Sequence, residues 1–533
     1  VTRPASLLQA TAVLGVVLAA HLSLAPRIAD TDSFYHVGHA IHYLEQGLTK
    51  TAFPWATQSI MAEIGGDLWW GFHVALVPFA ALGDVAWSIR MAGVVFTLVL
   101  AASVWWILRR HHVPGSGWWT LLFLLAVPNV LYRYLMVRPH VLSLATSFLV
   151  LAFLVRGRWW QVAAAAALTT WLHLGLFWMA PGLWAAFALT RVLDRFRWGR
   201  ATAPGVPLLP ALVAVLGGTL AGWVLRPHPV ATAELAYVQI VRLLIEKASG
   251  QPLLFATELS PLPVGELLRS SWLFVPVWCG VVFIAVSRYV RGRTHKATPT
   301  SGLRRTLLLT SVLVSAVFLT ISVASARRAM VEFVAFGFLA LPLAWTSLGP
   351  VARRRVGLAL GLLLVAHVPW AAHRHLLNTR LVAFPPDLLA EAADWLHQNS
   401  DPGDVVFHGH WDNFGPLFAW NRHNHYLGGM DPIFQLAHDP GRYWQYFYLS
   451  GDLVAEYTCD AFPCRDGVAT GTHEAIRRDF GARWVLVEPR RNPKLTTWLL
   501  GDAGFELAYE TQREAVFRVM ELEDPSTPPE PVR

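Results

Sequence analysis

The sequence predicts a polytopic α-helical membrane protein of about eleven transmembrane helices that continues into a C-terminal soluble α/β domain. Three observations carry this reading. Of the 533 residues, 54% are hydrophobic and only 15% are charged, against roughly 25% charged in a soluble domain, and the mean hydropathy is +0.42. Apolar runs that match, or nearly match, a hydrocarbon core about 30 Å thick cover 6–26, 86–108, 117–134, 140–155, 159–173, 175–190, 207–225, 271–290, 305–324, 331–348 and 355–372. Many of the 25 Trp stand in pairs at the ends of apolar runs, as in Trp69–Trp70, Trp118–Trp119 and Trp159–Trp160, and amphipathic rings prefer the headgroup level.

The first run lacks a flanking cleavage pattern and is read as a retained span. Basic clusters set the sidedness: Arg109–Arg110, Arg156 with Arg158, Arg191 to Arg200, Arg288 to Arg305 and Arg353 to Arg355 fall on alternate loops. With the N-terminus cytoplasmic, all of them lie inside. The same clustering argues against a nucleic-acid partner despite the net charge of +8, because the charges do not line one soluble face. The expected organisation is a transmembrane domain over 1–373, with outer loops 27–85 and 226–270, and an extracytoplasmic domain over 374–533. Residues 68–83 are short, contain Pro78 and end at Asp84, so they are expected to lie in or dip into the interface.

The first outer loop opens with Asp30-Thr-Asp32-Ser-Phe-Tyr-His36. A helix over 32–43 would place Asp32, His36, His39 and Tyr43 on one face. Asp32 alone would serve as a helix cap. A second acid two residues earlier, with His36 nearby, suits a site that holds a divalent cation such as Mg or Mn, or takes a proton from an acceptor.

This motif, followed by a long outer loop and an apolar helix, resembles the GT-C superfamily of integral membrane glycosyltransferases. That superfamily includes oligosaccharyltransferase catalytic subunits, protein O-mannosyltransferases and lipid A aminoarabinose transferases. The resemblance implies a bacterial-type inner-membrane enzyme that takes a sugar from a polyprenyl-phosphate-linked donor and gives it to a lipid, glycan or protein acceptor. It places the catalytic acid on Asp32 or Asp30, with Asp32 favoured. Arg138 and the pair Arg327–Arg328, on outer loops, are either snorkelling side chains or donor-phosphate clamps, since guanidinium offers planar, permanent donors. Glu258 in the second long loop is a second acid or acceptor contact.

After 374 the composition turns soluble. Residues 385–399 have helical periodicity, and 405–408, 484–488 and 515–519 read as strands. Between them Trp411, Asp412 and Asn413 are acceptor-contact candidates. His408, His410, His423 and His425 form an alternative zinc set, disfavoured because no cysteine accompanies them. Cys459 and Cys464 would pair if the domain faces an oxidising compartment. The competing functions are a transporter or flippase, which calls for ionisable groups at the midplane, and a non-catalytic envelope assembly protein.

Overall fold

In lipid, the backbone amides and carbonyls of an apolar run have no partners but each other, so each such run folds as a helix. The computed structural model describes residues 3–198, 207–250, 253, 256–291, 299–452, 457–459 and 469–521. Among these, seven helices are long and apolar enough to cross a membrane, or up to nine if each of two bent pairs is one span. All eleven apolar runs fold mainly as helix, but two fall short of a spanning helix. Run 117–134 divides into Ser116–Leu125 and Pro128–Tyr134, because Pro128 disfavours helix at the residue before it, and Val127 is extended (φ −143°, ψ 116°). Run 159–173 becomes the 14-residue helix Trp159–Leu172, a rise of about 21 Å. The segment around Pro78 forms the helix Trp70–Ala80, whose 11 residues are too few to span.

By internal contacts the chain divides into two compact units: 1–33, 68–229 and 255–386 in one, and 34–67, 230–254 and 387–533 in the other. Parts of both long loops thus group with the C-terminal residues, a division that no single cut along the sequence expresses.

In the first unit, helices Trp159–Leu172 and Leu208–Val224 approach through small residues at four-residue spacing. A Cβ on Gly218 would collide with the carbonyl of Ala163, and one on Gly222 with that of Ala167. Gly218→Val is expected to cost about 1–3 kcal/mol through overpacking, read as a lower melting temperature in detergent. Gly217→Ala, where a Cβ meets nothing within 4 Å, is the matched control. Arg226, buried, ties separate segments by donating to the carbonyls of Leu68 (3.1 Å), Thr170 (2.6 Å) and Trp171 (3.1 Å).

The second unit is built on β1 (Val405–His408), β2 (His425–Tyr426), β5 (Ala482–Val487), β6 (Phe505–Glu510) and β7 (Ala515–Val519), with a separate antiparallel pair β3 (Tyr457–Cys459) and β4 (Ala469–Gly471). The main sheet has the order β2-β1-β5-β7-β6. Its β1–β2 and β1–β5 pairs are parallel, and its β5–β7 and β6–β7 pairs antiparallel. Phe407, Val485, Val487 and Phe517 meet Ile476, Leu495 and Leu499 in the core on one face. Residues 55–58 run along the edge of β2: Tyr426 N–H donates to Trp55 O (2.7 Å), and Thr57 and Gln58 donate to Tyr426 O and Leu427 O (2.8 and 2.7 Å). This covers an edge that would otherwise be open to pairing. The expected helix over 385–399 begins only at Ala390, after Pro385 and Pro386. Cys464, and with it the Cys459–Cys464 pairing, lies outside the described residues.

Candidate active site

The first helix ends at Leu24, and the acid-bearing turn that follows is pinned by three sets of contacts. Ile28 and Phe384 exchange backbone hydrogen bonds (2.9 and 2.8 Å), and the Tyr132 hydroxyl donates to Ala29 O (2.7 Å). Ser33 Oγ accepts from Val137 N–H (3.3 Å) and donates to Asp30 Oδ2 (3.2 Å). Helix Asp32–Gln46 then begins, and Asp30 Oδ1 accepts the Asp32 N–H at 3.1 Å. The first amides of a helix lack partners within it, so Asp30, not Asp32, satisfies this one.

Arg138 sits in extended backbone at the cap of helix Pro139–Arg156, and its guanidinium gathers three carboxylates. It grips Asp30 with two parallel bonds, Nε to Oδ2 at 2.9 Å and Nη2 to Oδ1 at 2.5 Å. Nη2 also lies 2.8 Å from Asp32 Oδ2, and Nη1 3.2 Å from Glu258 Oε1. Burial disfavours the charge on Arg138, but the carboxylates of Asp30, Asp32 and Glu258 hold its pKa well above the usual arginine value. Glu258 also takes Arg133 Nη1 at 2.7 Å. Burial would push the Glu258 carboxyl up, but Arg133, Arg138 and Arg328 together hold it below the ordinary range.

Asp30, Arg133, Arg138 and Glu258 line a cavity of about 360 Å³ together with Arg327 and Arg328. Asp32 is not among its lining residues but lies against Arg138 at the cavity's edge, 2.8 Å from Nη2. Arg327 pairs loosely with Glu266 at 3.4 Å. Among the described residues the Arg328 guanidinium has no hydrogen bond or ion pair at contact distance, and its charge acts on Glu258 through space. The three arginines that sequence groups as phosphate clamps therefore differ. The nitrogens of Arg138 face carboxylates, because desolvated acids require a cation beside them, whereas Arg327 and Arg328 face the cavity with weaker ties or none.

The same geometry bears on a divalent ion. Arg138 Nη2 bridges Asp30 and Asp32, the position an ion shared by the two would take. The oxygens of Asp30 already accept four donors. The pair does not fit Mg or Mn.

The remaining expected residues have other surroundings. His36 is buried on helix Asp32–Gln46 with its ring edge-on to Tyr35, centroids 5.2 Å apart. Trp411, Asp412 and Asn413 form a short turn after β1. Trp411 packs against the core of the sheet, and buried Asn413 donates to Glu488 Oε1 at 2.9 Å. Asp412 takes His410 Nδ1 at 2.6 Å and both terminal nitrogens of Arg491 at 3.0 and 3.1 Å. The four histidines do not converge. His408 Nδ1 meets His410 O, His410 meets Asp412, and His423 Nε2 meets Ser400 O.

Burial alone would raise the Asp412 pKa, but His410 and Arg491 pull it down to about 2. A depressed carboxyl stabilises the fold above its unfolded value and loses that stability as pH falls through the folded value. Asp412→Asn is therefore expected to cost about 2 kcal/mol at neutral pH, and to remove the part of the melting curve that otherwise falls between about pH 4 and pH 2. Thermal melts of both proteins across that window check this.

Two site residues escape the sequence reading. Arg133 lies inside apolar run 117–134, and its signal is an ionisable group within such a run. Ser33 carries no signal of its own, because its role depends on meeting Val137.

An acid turn after the first helix, a helical bundle and a C-terminal mixed sheet together make up a polytopic helical membrane fold that this chain shares with solved structures. In particular, it is similar to the crystal structure of ArnT from Cupriavidus metallidurans bound to undecaprenyl phosphate. The TM-score is 0.54 and the sequence identity 14%, covering 95% of this chain and 97% of that one. The apo state of the same ArnT also gives 0.54 and 14%, covering 95% and 96%. At this identity the likeness is one of fold. No family model and no curated protein matches the sequence.

Proposed function

We propose that this protein is a membrane glycosyltransferase. It would move a sugar from a polyprenyl-phosphate-linked donor to a hydroxyl or amine of a lipid, glycan or protein acceptor, at the outer face of a bacterial-type inner membrane. The observation that carries the reading is the cavity in which the acid turn after the first helix faces Arg327 and Arg328. The fold shared with an ArnT crystallised with undecaprenyl phosphate supports it.

In this reading Asp32 takes the proton of the acceptor as its oxygen or nitrogen attacks the anomeric carbon. The bond from that carbon to the phosphate oxygen breaks with inversion, and polyprenyl phosphate leaves with the electron pair. Asp32 is chosen over Asp30 because the Asp30 oxygens are saturated by donors, while the Asp32 side chain is 19% exposed against 4%. Arg328, helped by Arg327, stabilises the charge gathering on the departing phosphate. Arg138 and Arg133 set the positions of the acids.

The test is transfer of label from polyprenyl-phosphate sugars by the full chain in proteoliposomes. A hydrogen bond to a charged group contributes about 1.5–3 kcal/mol, so Arg328→Gln is expected to raise KM for the donor by about tenfold or more. A wild-type protein that transfers no label from any such donor would sink the reading.

A further inference from the structure

A second cavity, of about 670 Å³, is lined by Trp106, Arg109, Arg110, His112 and Arg156. Helix Pro139–Arg156 starts beside the acid cluster at Arg138 and ends in this cavity after 18 residues, a rise of about 27 Å. The two cavities therefore serve opposite faces of the membrane.

The second cavity is positive and has an aromatic wall. The Arg110 guanidinium lies 5.6 Å from the centre of the Trp106 ring, and that ring meets Phe153 edge-on at 5.5 Å. Arg156 Nη1 donates to Arg110 O (3.2 Å), and Arg304 donates to His111 O and His112 O (2.7 and 2.8 Å). These bonds to carbonyls hold the arginines together without neutralising them. Among the described residues no carboxylate pairs with Arg109, Arg110, Arg156, Arg158 or Arg304. His111, buried beside them, reflects the field: burial first, then Arg156 and Arg304, lower its pKa to about 4. Trp159 and Trp160, next to Arg158 in sequence, are 61% and 58% exposed, as rings are at headgroup depth.

We propose that this cavity binds the phosphate of an anionic phospholipid from the leaflet opposite the acid cluster. Guanidinium groups supply the charge-assisted donors that a phosphate diester accepts. The apolar wall and the exposed Trp pair just after the end of helix Pro139–Arg156 favour a lipid over a soluble anion. This site is independent of the sugar-transfer reading and stands or falls separately.

The experiment is native mass spectrometry of the purified full chain titrated with phosphatidylglycerol, phosphatidylcholine or inorganic phosphate. Wild type, Arg109→Gln and Arg110→Gln are compared, and melting temperature is recorded for each. Arg109 makes no side-chain hydrogen bond among the described residues, so its variant keeps the test informative if Arg110→Gln folds poorly. A basic residue near an anionic surface contributes about 1 kcal/mol, so each variant is expected to lose phosphatidylglycerol affinity about fivefold. Phosphatidylcholine retention should not change, and inorganic phosphate should not compete. Equal retention of the two lipids, an unchanged phosphatidylglycerol affinity in Arg109→Gln, or displacement of lipid by inorganic phosphate would overturn the proposal.

Discussion

Asp32→Asn is expected to lower sugar transfer by about 10²–10⁴-fold while leaving the melting temperature and donor binding close to those of wild type. The side chain keeps its size, and the Arg138 contact it loses is one of several that hold the guanidinium. What disappears is a base able to accept the proton of the attacking group. Asp30→Asn should behave differently. An amide cannot accept both arms of the Arg138 fork, so one nitrogen of Arg138 would face an amide donor in place of an oxygen. That variant is expected to lose stability together with activity. Measuring kcat, KM and melting temperature for both separates the two roles, and equal behaviour would argue against assigning them to different acids.

Arg138→Met is expected to be the most damaging single change to the fold. Removing one member of a buried ion pair costs about 3–5 kcal/mol, because the partner remains charged in a poor solvent. Here one guanidinium serves Asp30, Asp32 and Glu258, and Glu258 also has Arg133 beside it. Arg138→Lys should recover part of the stability but little activity, since an ammonium is a point charge and cannot take Asp30 through two parallel bonds. Melting temperature and transfer rate, measured together, check both variants. Full recovery by lysine would show that charge alone matters at this position.

The spanning helices were legible because composition decides them: an apolar run in lipid has one way to satisfy its backbone. β1 and β7 were legible as short apolar runs, Val405–His408 and Ala515–Val519. β6 was not. Its residues alternate, Phe505, Leu507 and Tyr509 against Glu506, Ala508 and Glu510. Only Phe505 is buried, however, and the rest face outward or lie half-covered, so the run is short of the apolar content that marked β1 and β7. β2 pairs over two residues, held between β1 and residues 55–58, the latter a partner more than 360 positions away. The same distance in sequence concealed the chemistry of the cavity. The acids, Arg138 and Glu258 could each be named as polar groups at the outer ends of spans. That Arg138 would spend its donors on Asp30, 108 residues earlier, depends on how the helices pack, and so does the exclusion of a shared divalent ion between Asp30 and Asp32.

The central claim is that the cavity beside the acid turn transfers a sugar with Asp32 as base. The direct measurement is a single-turnover assay in proteoliposomes with labelled polyprenyl-phosphate sugar, run on wild type and Asp32→Asn alongside a donor-binding measurement. The account predicts that wild type forms labelled product, and that Asp32→Asn binds the donor equally well without consuming it. Transfer by Asp32→Asn at the wild-type rate would contradict it.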